Sequence, residues 1–333
     1  MEVTAAPAVP GVEAALAALA PRLAAGATGV CAVRRLSGGA SQETWAFETS
    51  GGERFILRRA PSATWKSEMS IDLETEAILM QRAGAAGVPS PRVRHVLVPE
   101  DGLGKGFIMG FVAGETLGQK ILRDPALDAV RPDLARQCGT TMAAIHRIDT
   151  SGIVDLKATT ARSQVDDLAA AHRAGGWVRP VFDLALRWLQ DRCPATVPHP
   201  TLVHGDFRNG NLIIGADGIR AVLDWELAHQ GDPMEDLGWI CVNSWRFGEI
   251  DKPVGGFGNR EDLFAAYEAA GGTVDPARVR FWQAVGTLRW GIICADSTNR
   301  FSRGDDPSIE RAVIGRRTSE TELDLIDLMT GND

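Results

Sequence analysis

The sequence predicts an α+β protein with two lobes, a small antiparallel sheet followed by a mostly helical region. From Val30 to Val112 short apolar runs alternate with Gly-rich turns, a pattern typical of antiparallel strands. Beyond Gly114 the apolar residues recur at helical spacing instead. The chain has 333 residues, of which 44% are hydrophobic, and this is enough for one large or two modest domains.

Charge and cysteine content exclude several classes of protein. The formal net charge of −8 argues against nucleic acid or an anionic membrane as the main partner, because both require concentrated Lys and Arg. The five cysteines are scattered, odd in number and without C-x-x-C spacing. This argues against a disulfide framework or a zinc site, and favours a reducing compartment.

The Ala-rich stretch from Val12 to Ala25 is predicted to be an amphipathic first helix rather than a signal sequence. Glu2 and Glu13 replace the basic residues that precede a signal core, and Pro21-Arg22 interrupts the run. No segment reaches the ~18 uninterrupted apolar residues of a membrane span. We therefore expect a cytoplasmic protein.

A Gly-rich turn joins the first two predicted strands, Val30–Leu36 and Thr44–Glu48. The turn contains Gly38, Gly39 and Ser41. Glycines let backbone N–H groups approach phosphate oxygens without a Cβ in the way, so the turn is a candidate phosphate-binding loop. The alternative is a turn that merely connects two strands.

The remaining elements of the first lobe follow in order. The run from Arg54 to Arg59 predicts a third strand with a basic end, and Leu73, Ala77 and Met80 mark the apolar face of a helix. The bounds predicted for that helix are Ser67–Ala85, and those of the last two strands are Val93–Val98 and Gly106–Val112.

The most informative passage is His204-Gly205-Asp206-Phe207-Arg208-Asn209-Gly210-Asn211, which lies between two apolar runs and is followed by a hairpin that ends at Asp224. Phosphoryl transfer needs one Asp at the acceptor hydroxyl, and an amide oxygen and a second carboxylate for Mg²⁺. Asp206 is the candidate catalytic base, and Asn211 and Asp224 are the candidate metal ligands. The alternative for a single Asp or Asn is a turn or helix cap.

This passage resembles the aminoglycoside phosphotransferase family, part of the wider protein-kinase-like superfamily, and the resemblance covers nearly the whole chain. It implies a bilobal protein-kinase-like fold, ATP and Mg²⁺ as cofactors between the lobes, and a small-molecule hydroxyl acceptor. Residues 1–113 would form the nucleotide-binding N-lobe. Residues 114–333 would form the catalytic and acceptor-binding C-lobe.

The resemblance also implies nucleotide-binding residues in the first lobe. Arg58 stands where the family carries a Lys that grips the phosphates, and an Arg can hold phosphate bidentately. Glu76 would pair with Arg58, with Glu74 as the competing candidate; an exposed helix carboxylate is the alternative for either. The segment Gly110, Phe111 and Val112 resembles the hinge that meets the adenine.

Further roles are expected around the catalytic loop. Arg208 is placed to neutralise charge on the moving phosphoryl group, and the alternative is a salt bridge to a nearby carboxylate. Asp236 is expected to brace the loop through its backbone, and His204 to brace it through hydrogen bonds. Asp232 is expected to cap a helix that begins at Pro233.

The second lobe is predicted to be built from helices, with the acceptor site among them. Arg289, Trp290, Asp296 and Arg300 are candidates to face the acceptor. The predicted helices are Asp133–Ile148, Val165–Ala174, Pro180–Arg192, Pro276–Cys294 and Ile309–Thr330.

The sequence does not specify the acceptor, so three functional classes are open. The segments around Arg208, Asp224 and Trp239 look like the branch of the family that is fused to acyl-CoA dehydrogenases, which implies a hydroxyacyl-CoA or another metabolite. An aminoglycoside antibiotic phosphotransferase is the alternative, and it requires an acidic pocket for a polycation. A pseudokinase that binds nucleotide without transfer is the third class.

Overall fold

The computed structural model describes residues 10–36, 42–60, 70–197, 199–306 and 308–331. It divides into two compact units. The first extends to Gly114 and also contains Ile148–Leu156 and Arg220–Ala228; the second comprises Glu115–Arg147, Lys157–Ile219 and the chain from His229 onward. The first unit therefore includes two segments that a single division after residue 113 leaves out. The functions assigned to the two lobes stay predictions.

The first unit is built on a five-stranded antiparallel sheet. The elements are α1 Pro10–Leu23, β1 Val30–Leu36, β2 Glu43–Thr49, β3 Arg54–Arg59, α2 Leu73–Ala85, β4 Val93–Val96 and β5 Gly106–Gly110. The strand order is β1-β2-β3-β5-β4. Strands β4 and β5 are shorter than predicted, because the chain leaves the sheet after Val96 and after Gly110.

Helix α1 covers one face of this sheet. Its Leu16 packs in one apolar cluster with Trp45, Phe55, Leu57 and Ile108, all of which are buried. Burial of a Leu or Phe side chain stabilises a fold by ~1.5–3 kcal/mol, so this cluster fixes the helix to the sheet. The opposite side of α1 is exposed, which agrees with the amphipathic helix predicted for this stretch.

The second unit is mainly helical. Its elements are α3 Gly118–Arg123, α4 Leu134–Ile145, α5 Ala161–Gly175, α6 Pro180–Asp191, β6 Thr201–Val203, β7 Leu212–Gly215, β8 Gly218–Val222, β9 His229–Gly231, α7 Met234–Trp239, α8 Arg260–Ala269, α9 Pro276–Arg303, α10 Ile309–Gly315 and α11 Thr318–Thr330. Strands β6 and β9 pair antiparallel, and the last three residues of β8 belong to the first unit.

The long helix α9 is the centre of the second unit, where α7, α10 and α11 pack against it. Gly238 permits the close approach of α7, because a Cβ at this position would lie 2.6 Å from the backbone nitrogen of Gln283. The single helix predicted over Ile309–Thr330 is instead two helices that meet at Arg316 and Arg317. None of the described helices combines the length and apolar character needed to cross a membrane.

Candidate active site

The predicted catalytic loop, His204–Asn211, follows β6 and is held by Asp236. The backbone N–H of His204 donates to Oδ2 of Asp236 at 2.8 Å, and that of Gly205 donates to Oδ1 at 2.9 Å. Gly205 has φ +79°, a left-handed conformation that a glycine adopts without steric cost. The predicted bracing of the loop by Asp236 is confirmed.

Asp236 is itself fully buried in a polar network. His146 joins its Oδ2 through Nε2 at 3.0 Å and the hydroxyl of Tyr267 through Nδ1 at 2.8 Å. Burial opposes ionisation of Asp236, but the hydrogen bond and charge of His146 outweigh it and lower the pKa. His204 adds a further brace, because Asp206 donates its backbone N–H to His204 Nδ1 at 3.2 Å.

The carboxylate of Asp206 accepts three side-chain hydrogen bonds. Trp239 Nε1 donates to Oδ1 at 2.7 Å, and Arg208 Nε donates to the same oxygen at 3.0 Å. Asn211 Nδ2 donates to Oδ2 at 2.6 Å. Since a carboxylate offers about four lone-pair sites, one position on Oδ2 is left for a further donor. Trp239 belongs to a segment that carries the family resemblance, but its contact with Asp206, 33 residues away along the chain, was not predicted.

Arg208 lies against Asp206 and an indole ring. Its Nη1 donates to the carbonyl of Asn209 at 2.8 Å, and its guanidinium stacks 4.5 Å from the centre of the Trp245 ring. The alternative interpretation of Arg208 was a salt bridge to a nearby carboxylate. Arg208 does form such a salt bridge, and its partner is Asp206. The role of Arg208 at the moving phosphoryl group stays a prediction.

Asn211 is oriented by the loop that contains it. Its Nδ2 donates both to the backbone carbonyl of Asp206 at 2.9 Å and to the side chain of Asp206. The nitrogen is thereby used, and the amide oxygen is the atom left for other partners. An oxygen is the ligand type that Mg²⁺ prefers.

Arg289 lies beside the loop on α9. Its Nη2 donates to the carbonyl of Gly205 at 2.8 Å, and its guanidinium lies 3.9 Å from the centre of the Trp239 ring. Trp290 contacts Trp245, with 5.0 Å between the ring centres. Of the four residues expected to face the acceptor, Arg289 therefore contacts the loop and Trp290 contacts the Trp245 ring on which Arg208 stacks, whereas Asp296 and Arg300 are exposed farther along α9.

In the first unit Arg58 is surrounded by carboxylates. Its Nη2 lies 2.6 Å from Asp224 Oδ1 and 3.5 Å from Glu226 Oε2, and its Nε lies 3.2 Å from Glu76 Oε2. Glu76 is only 1% exposed, whereas Glu74 is exposed, so Glu76 is the carboxylate that contacts Arg58. Gln42, to which the sequence assigned no role, accepts from Arg58 Nε at 2.5 Å.

The negative charges of the carboxylates around Arg58 are not cancelled by its single positive charge. Burial raises the pKa of Glu76 to about 7, although the Arg58 charge acts in the opposite direction. Burial also disfavours the charged form of Arg58, but Glu76 and Asp224 outweigh it and raise the Arg58 pKa. Together with Glu226, the carboxylates carry an excess of negative charge over the single guanidinium. Such a site suits an additional cation.

Asp224 has an unusual backbone. Its φ of 64° and ψ of 65° are left-handed, a region that L-residues other than Asn and Asp rarely adopt. The residue follows β8 and precedes the 3-10 helix Trp225–Leu227, so the conformation turns the chain sharply at the carboxylate. Strained backbone of this kind is concentrated at functional sites.

The predicted hinge follows β5. The N–H of Gly110 donates to the carbonyl of Arg92 at 2.9 Å, and that of Phe111 donates to the carbonyl of Arg54 at 3.1 Å. The backbone of Val112 has no hydrogen-bond partner among the described residues. Of the three predicted hinge residues, Val112 is therefore the one with both backbone groups available to a ligand.

Two other predictions concern loops. The proposed phosphate-binding residues Gly38, Gly39 and Ser41 lie outside the described residues. The helix predicted to begin at Pro233 begins one residue later, at Met234, and Pro233 occupies the cap position. Asp232 nevertheless accepts the N–H of Met234 at 3.0 Å, so its side chain still satisfies a donor at the helix start.

No group of three or more His, Cys, Asp or Glu side chains in the described ranges is arranged to hold a metal ion by itself. Mg²⁺ is usually bound through one or two carboxylates together with substrate phosphates, so a magnesium site needs no such group. The assignment of Asp224 and Asn211 as metal ligands stays a prediction.

Solved structures of similar fold include a putative aminoglycoside phosphotransferase from Ralstonia eutropha JMP134. It is 22% identical, with a TM-score of 0.76 over 96% of this chain and 98% of that one. A thermostable mutant of aminoglycoside phosphotransferase APH(4)-Ia, in complex with AMP-PNP and hygromycin B, is 18% identical, with a TM-score of 0.63 over 97% and 98% of the two chains. These similarities confirm the predicted bilobal kinase-like α+β fold.

Similar sequences extend the comparison. The mouse protein acyl-CoA dehydrogenase family member 10 (Mus musculus) is 31% identical over 204 residues, which cover 57% of this chain and 18% of the mouse protein. The chain spans well under half the length of the curated relatives it matches. Residues 32–282, about three-quarters of the chain, match a family described as the phosphotransferase enzyme family. The chain belongs to this phosphotransferase enzyme family, as the catalytic loop and the fold predicted.

Proposed function

We propose that this protein transfers the γ-phosphoryl group of ATP to a hydroxyl group of a small molecule. The observation that carries the proposal is the carboxylate of Asp206, which is held by Trp239, Arg208 and Asn211 in a loop braced by Asp236. An acid fixed in this way orients an acceptor hydroxyl. Family membership supports the same reaction class.

We assign nucleotide binding to residues of the first unit. Arg58, with Glu76 and Gln42 behind it, binds phosphate oxygens, and Val112 offers backbone groups to the adenine. Gly38, Gly39 and Ser41 are the proposed phosphate-binding residues of the Gly-rich turn, and Gly110 and Phe111 complete the hinge. The AMP-PNP bound by the APH(4)-Ia neighbour is consistent with an adenine nucleotide.

Asp224 and Asn211 are the proposed Mg²⁺ ligands. The donor set fits, because Asp224 belongs to a cluster with excess negative charge and the Asn211 nitrogen is already engaged. When bound, Mg²⁺ neutralises charge on the nucleotide phosphates. Glu226 lies 3.5 Å from Arg58 and adds its negative charge to the carboxylates around that guanidinium. We do not assign Glu226 as a metal ligand.

Asp206 is the base in this mechanism. The acceptor hydroxyl donates to the remaining position on Oδ2, and its oxygen forms a bond to the γ-phosphorus of ATP. The bond from that phosphorus to the β–γ bridging oxygen breaks, and the hydroxyl proton passes to Asp206. Arg208 stabilises charge that develops during the transfer.

For the acceptor we rank a hydroxyl-bearing metabolite, such as a hydroxyacyl-CoA, ahead of an aminoglycoside. The name of the mouse relative contains acyl-CoA dehydrogenase, and the matched region is 18% of that protein. Hygromycin B is the ligand of the APH(4)-Ia neighbour, which is only 18% identical. A cytoplasmic location accords with this class of substrate.

The test is acceptor-dependent ADP formation across a panel of hydroxyacyl-CoAs, aminoglycosides, choline-like alcohols and sugars. Asp206→Asn should lower turnover of the best acceptor ~10²–10⁴-fold and leave MgATP affinity unchanged. The exposed Asp296→Asn is the matched control and should retain wild-type turnover. Nucleotide binding without transfer to any acceptor would contradict the proposal and favour a pseudokinase.

A further inference from the structure

Three indole rings of the second unit form a continuous row that begins at the catalytic base. Trp239 contacts Asp206 through its N–H. The ring centre of Trp239 lies 5.1 Å from that of Trp245, which lies 5.0 Å from that of Trp290. We call these residues the tryptophan row. Its position beside Asp206 makes it a candidate surface for the part of the acceptor that follows the hydroxyl.

Two members of the row have buried donors without partners. The Nε1 atoms of Trp245 and Trp290 are inaccessible to solvent and form no hydrogen bond with any described residue. Trp245 is only 4% exposed. Buried donors are almost always satisfied, because an unpaired one loses its bonds to water without replacement. Two neighbouring exceptions beside a catalytic base point to a partner that arrives with a ligand.

The charged groups packed on the row are arginines. Arg289 stacks on Trp239, Arg208 on Trp245, and Arg317 lies 6.0 Å from the ring centre of Trp290. A guanidinium group has donors and no acceptors, as does an indole N–H. The polar side-chain groups of the row and its arginines are therefore all donors.

The neighbouring carboxylates are paired with arginines. Oε2 of Glu235 accepts a hydrogen bond from Gln164 at 2.6 Å, and Oε1, which accepts no hydrogen bond from the described residues, lies 3.6 Å from Arg289 Nη1. Glu320 pairs with Arg317 at 3.0 Å. A polycationic ligand brings donors only and would compete with Arg289 and Arg317 for these carboxylates. A ligand with anionic oxygens supplies what the row lacks.

We propose that the tryptophan row and Arg289 form an acceptor subsite for an anionic oxygen group, a carboxylate or a phosphate, on the molecule whose hydroxyl reaches Asp206. This inference rests on the proposed function, because it assumes that Asp206 faces an acceptor. Trp245 and Trp290 donate their N–H groups to the anionic oxygens. Arg289 supplies the positive charge, and the indole faces exclude water.

Four compounds with one carbon skeleton test the preference: glycerate, glycerol 3-phosphate, glycerol and 3-aminopropane-1,2-diol. Binding is measured by calorimetric titration of the full chain without nucleotide. One of the two anions should bind at least ~10-fold more tightly than glycerol and the amine, and the tighter anion identifies carboxylate or phosphate as the group. Equal binding of all four, or no binding of either anion, would overturn the proposal.

Trp245→Phe and Trp290→Phe test the donors, since they keep a ring and remove the N–H. Each should weaken binding of the preferred anion ~10-fold or more, and resistance to urea should stay equal or increase because an unsatisfied donor is gone. Trp177→Phe is the control, since its N–H already donates to His172 at 2.8 Å. That change should lower stability and leave anion binding unaltered.

Unchanged anion binding in both row variants would refute the donor role. The outcome is separable from the proposed reaction, because these titrations require no phosphoryl transfer. If an amine-bearing acceptor is instead phosphorylated efficiently while anions do not bind, the kinase function stands and the anionic subsite does not.

Discussion

The indole N–H of Trp239 donates to Oδ1 of Asp206 at 2.7 Å, so helix α7 directly orients the proposed catalytic base. The same helix carries Asp236, which holds the backbone of the loop. One short helix thus positions both the loop and its functional side chain. We therefore predict that Trp239 is a positioning residue for phosphoryl transfer.

Trp239→Phe should therefore lower kcat about tenfold, with little change in the affinity for MgATP. The ring volume is nearly kept, but the carboxylate of Asp206 loses one of its three fixed donors and becomes free to rotate. Steady-state kinetics with nucleotide titration measures both quantities. In an Asp206→Asn background the same change should have almost no further effect, because both residues act in one unit. Additive losses would show that Trp239 acts independently of Asp206.

Arg58 should contribute to stability as well as to nucleotide binding. Arg58→Met removes the partner of Glu76, which is 1% exposed, and should lower the free energy of unfolding by ~3–5 kcal/mol. The double variant Arg58→Met/Glu76→Gln should recover part of this loss, because no buried charge is left unpaired. Urea denaturation measures each free energy.

Arg59 offers the matched control for this pair. Its partner Glu43, at 2.8 Å, has a side chain that is 13% exposed against 1% for Glu76, so Arg59→Met leaves a carboxylate that water can reach and should cost less than Arg58→Met. Arg58→Lys should retain part of the nucleotide binding, since a Lys keeps the charge but cannot reproduce the fork of contacts to Glu76 and Asp224. Equal losses for Arg58→Met and Arg59→Met would contradict the assignment.

Two substitutions of Asp224 distinguish the effect of its backbone conformation on stability from the effect of its carboxylate on metal binding. Asn tolerates φ 64° far better than Ala, so Asp224→Asn should be more stable than Asp224→Ala by ~1 kcal/mol. Both changes remove the carboxylate, so both should weaken the effect of Mg²⁺ on ATP affinity. Thermal unfolding and ATP titrations with and without Mg²⁺ measure the two effects. An unchanged Mg²⁺ dependence would remove Asp224 from the metal site.

Local patterns predicted much of this molecule, and contacts between distant segments account for the rest. The bounds of β3 and the bracing by Asp236 followed from a short apolar run and from a loop motif. The partnership of Trp239 with Asp206 did not, because nothing near either residue specifies which side chain meets it in the fold. The same reason explains why α8, whose apolar face is short, was not anticipated.

The buried Asp236 predicts how stability depends on pH. Burial by itself would raise its pKa, but hydrogen bonds and charge from His146 and His204 outweigh burial, and the pKa in the folded protein lies below the usual ~3.9. The folded state then binds fewer protons than the unfolded chain. The resulting stabilisation is complete above the unfolded pKa and is lost as pH falls through the folded value.

Asp236→Asn should consequently be less stable than the wild type at pH 7, and its deficit should shrink as the pH is lowered from about 5 to 3. The amide cannot titrate, so the variant lacks the part of the acid-induced loss that Asp236 causes. Urea unfolding at several pH values measures the difference, and Asp296→Asn on the exposed face of α9 should give a constant offset near zero. A deficit for Asp236→Asn that is independent of pH would show that the residue stabilises the loop through packing and hydrogen bonds alone, without its charge.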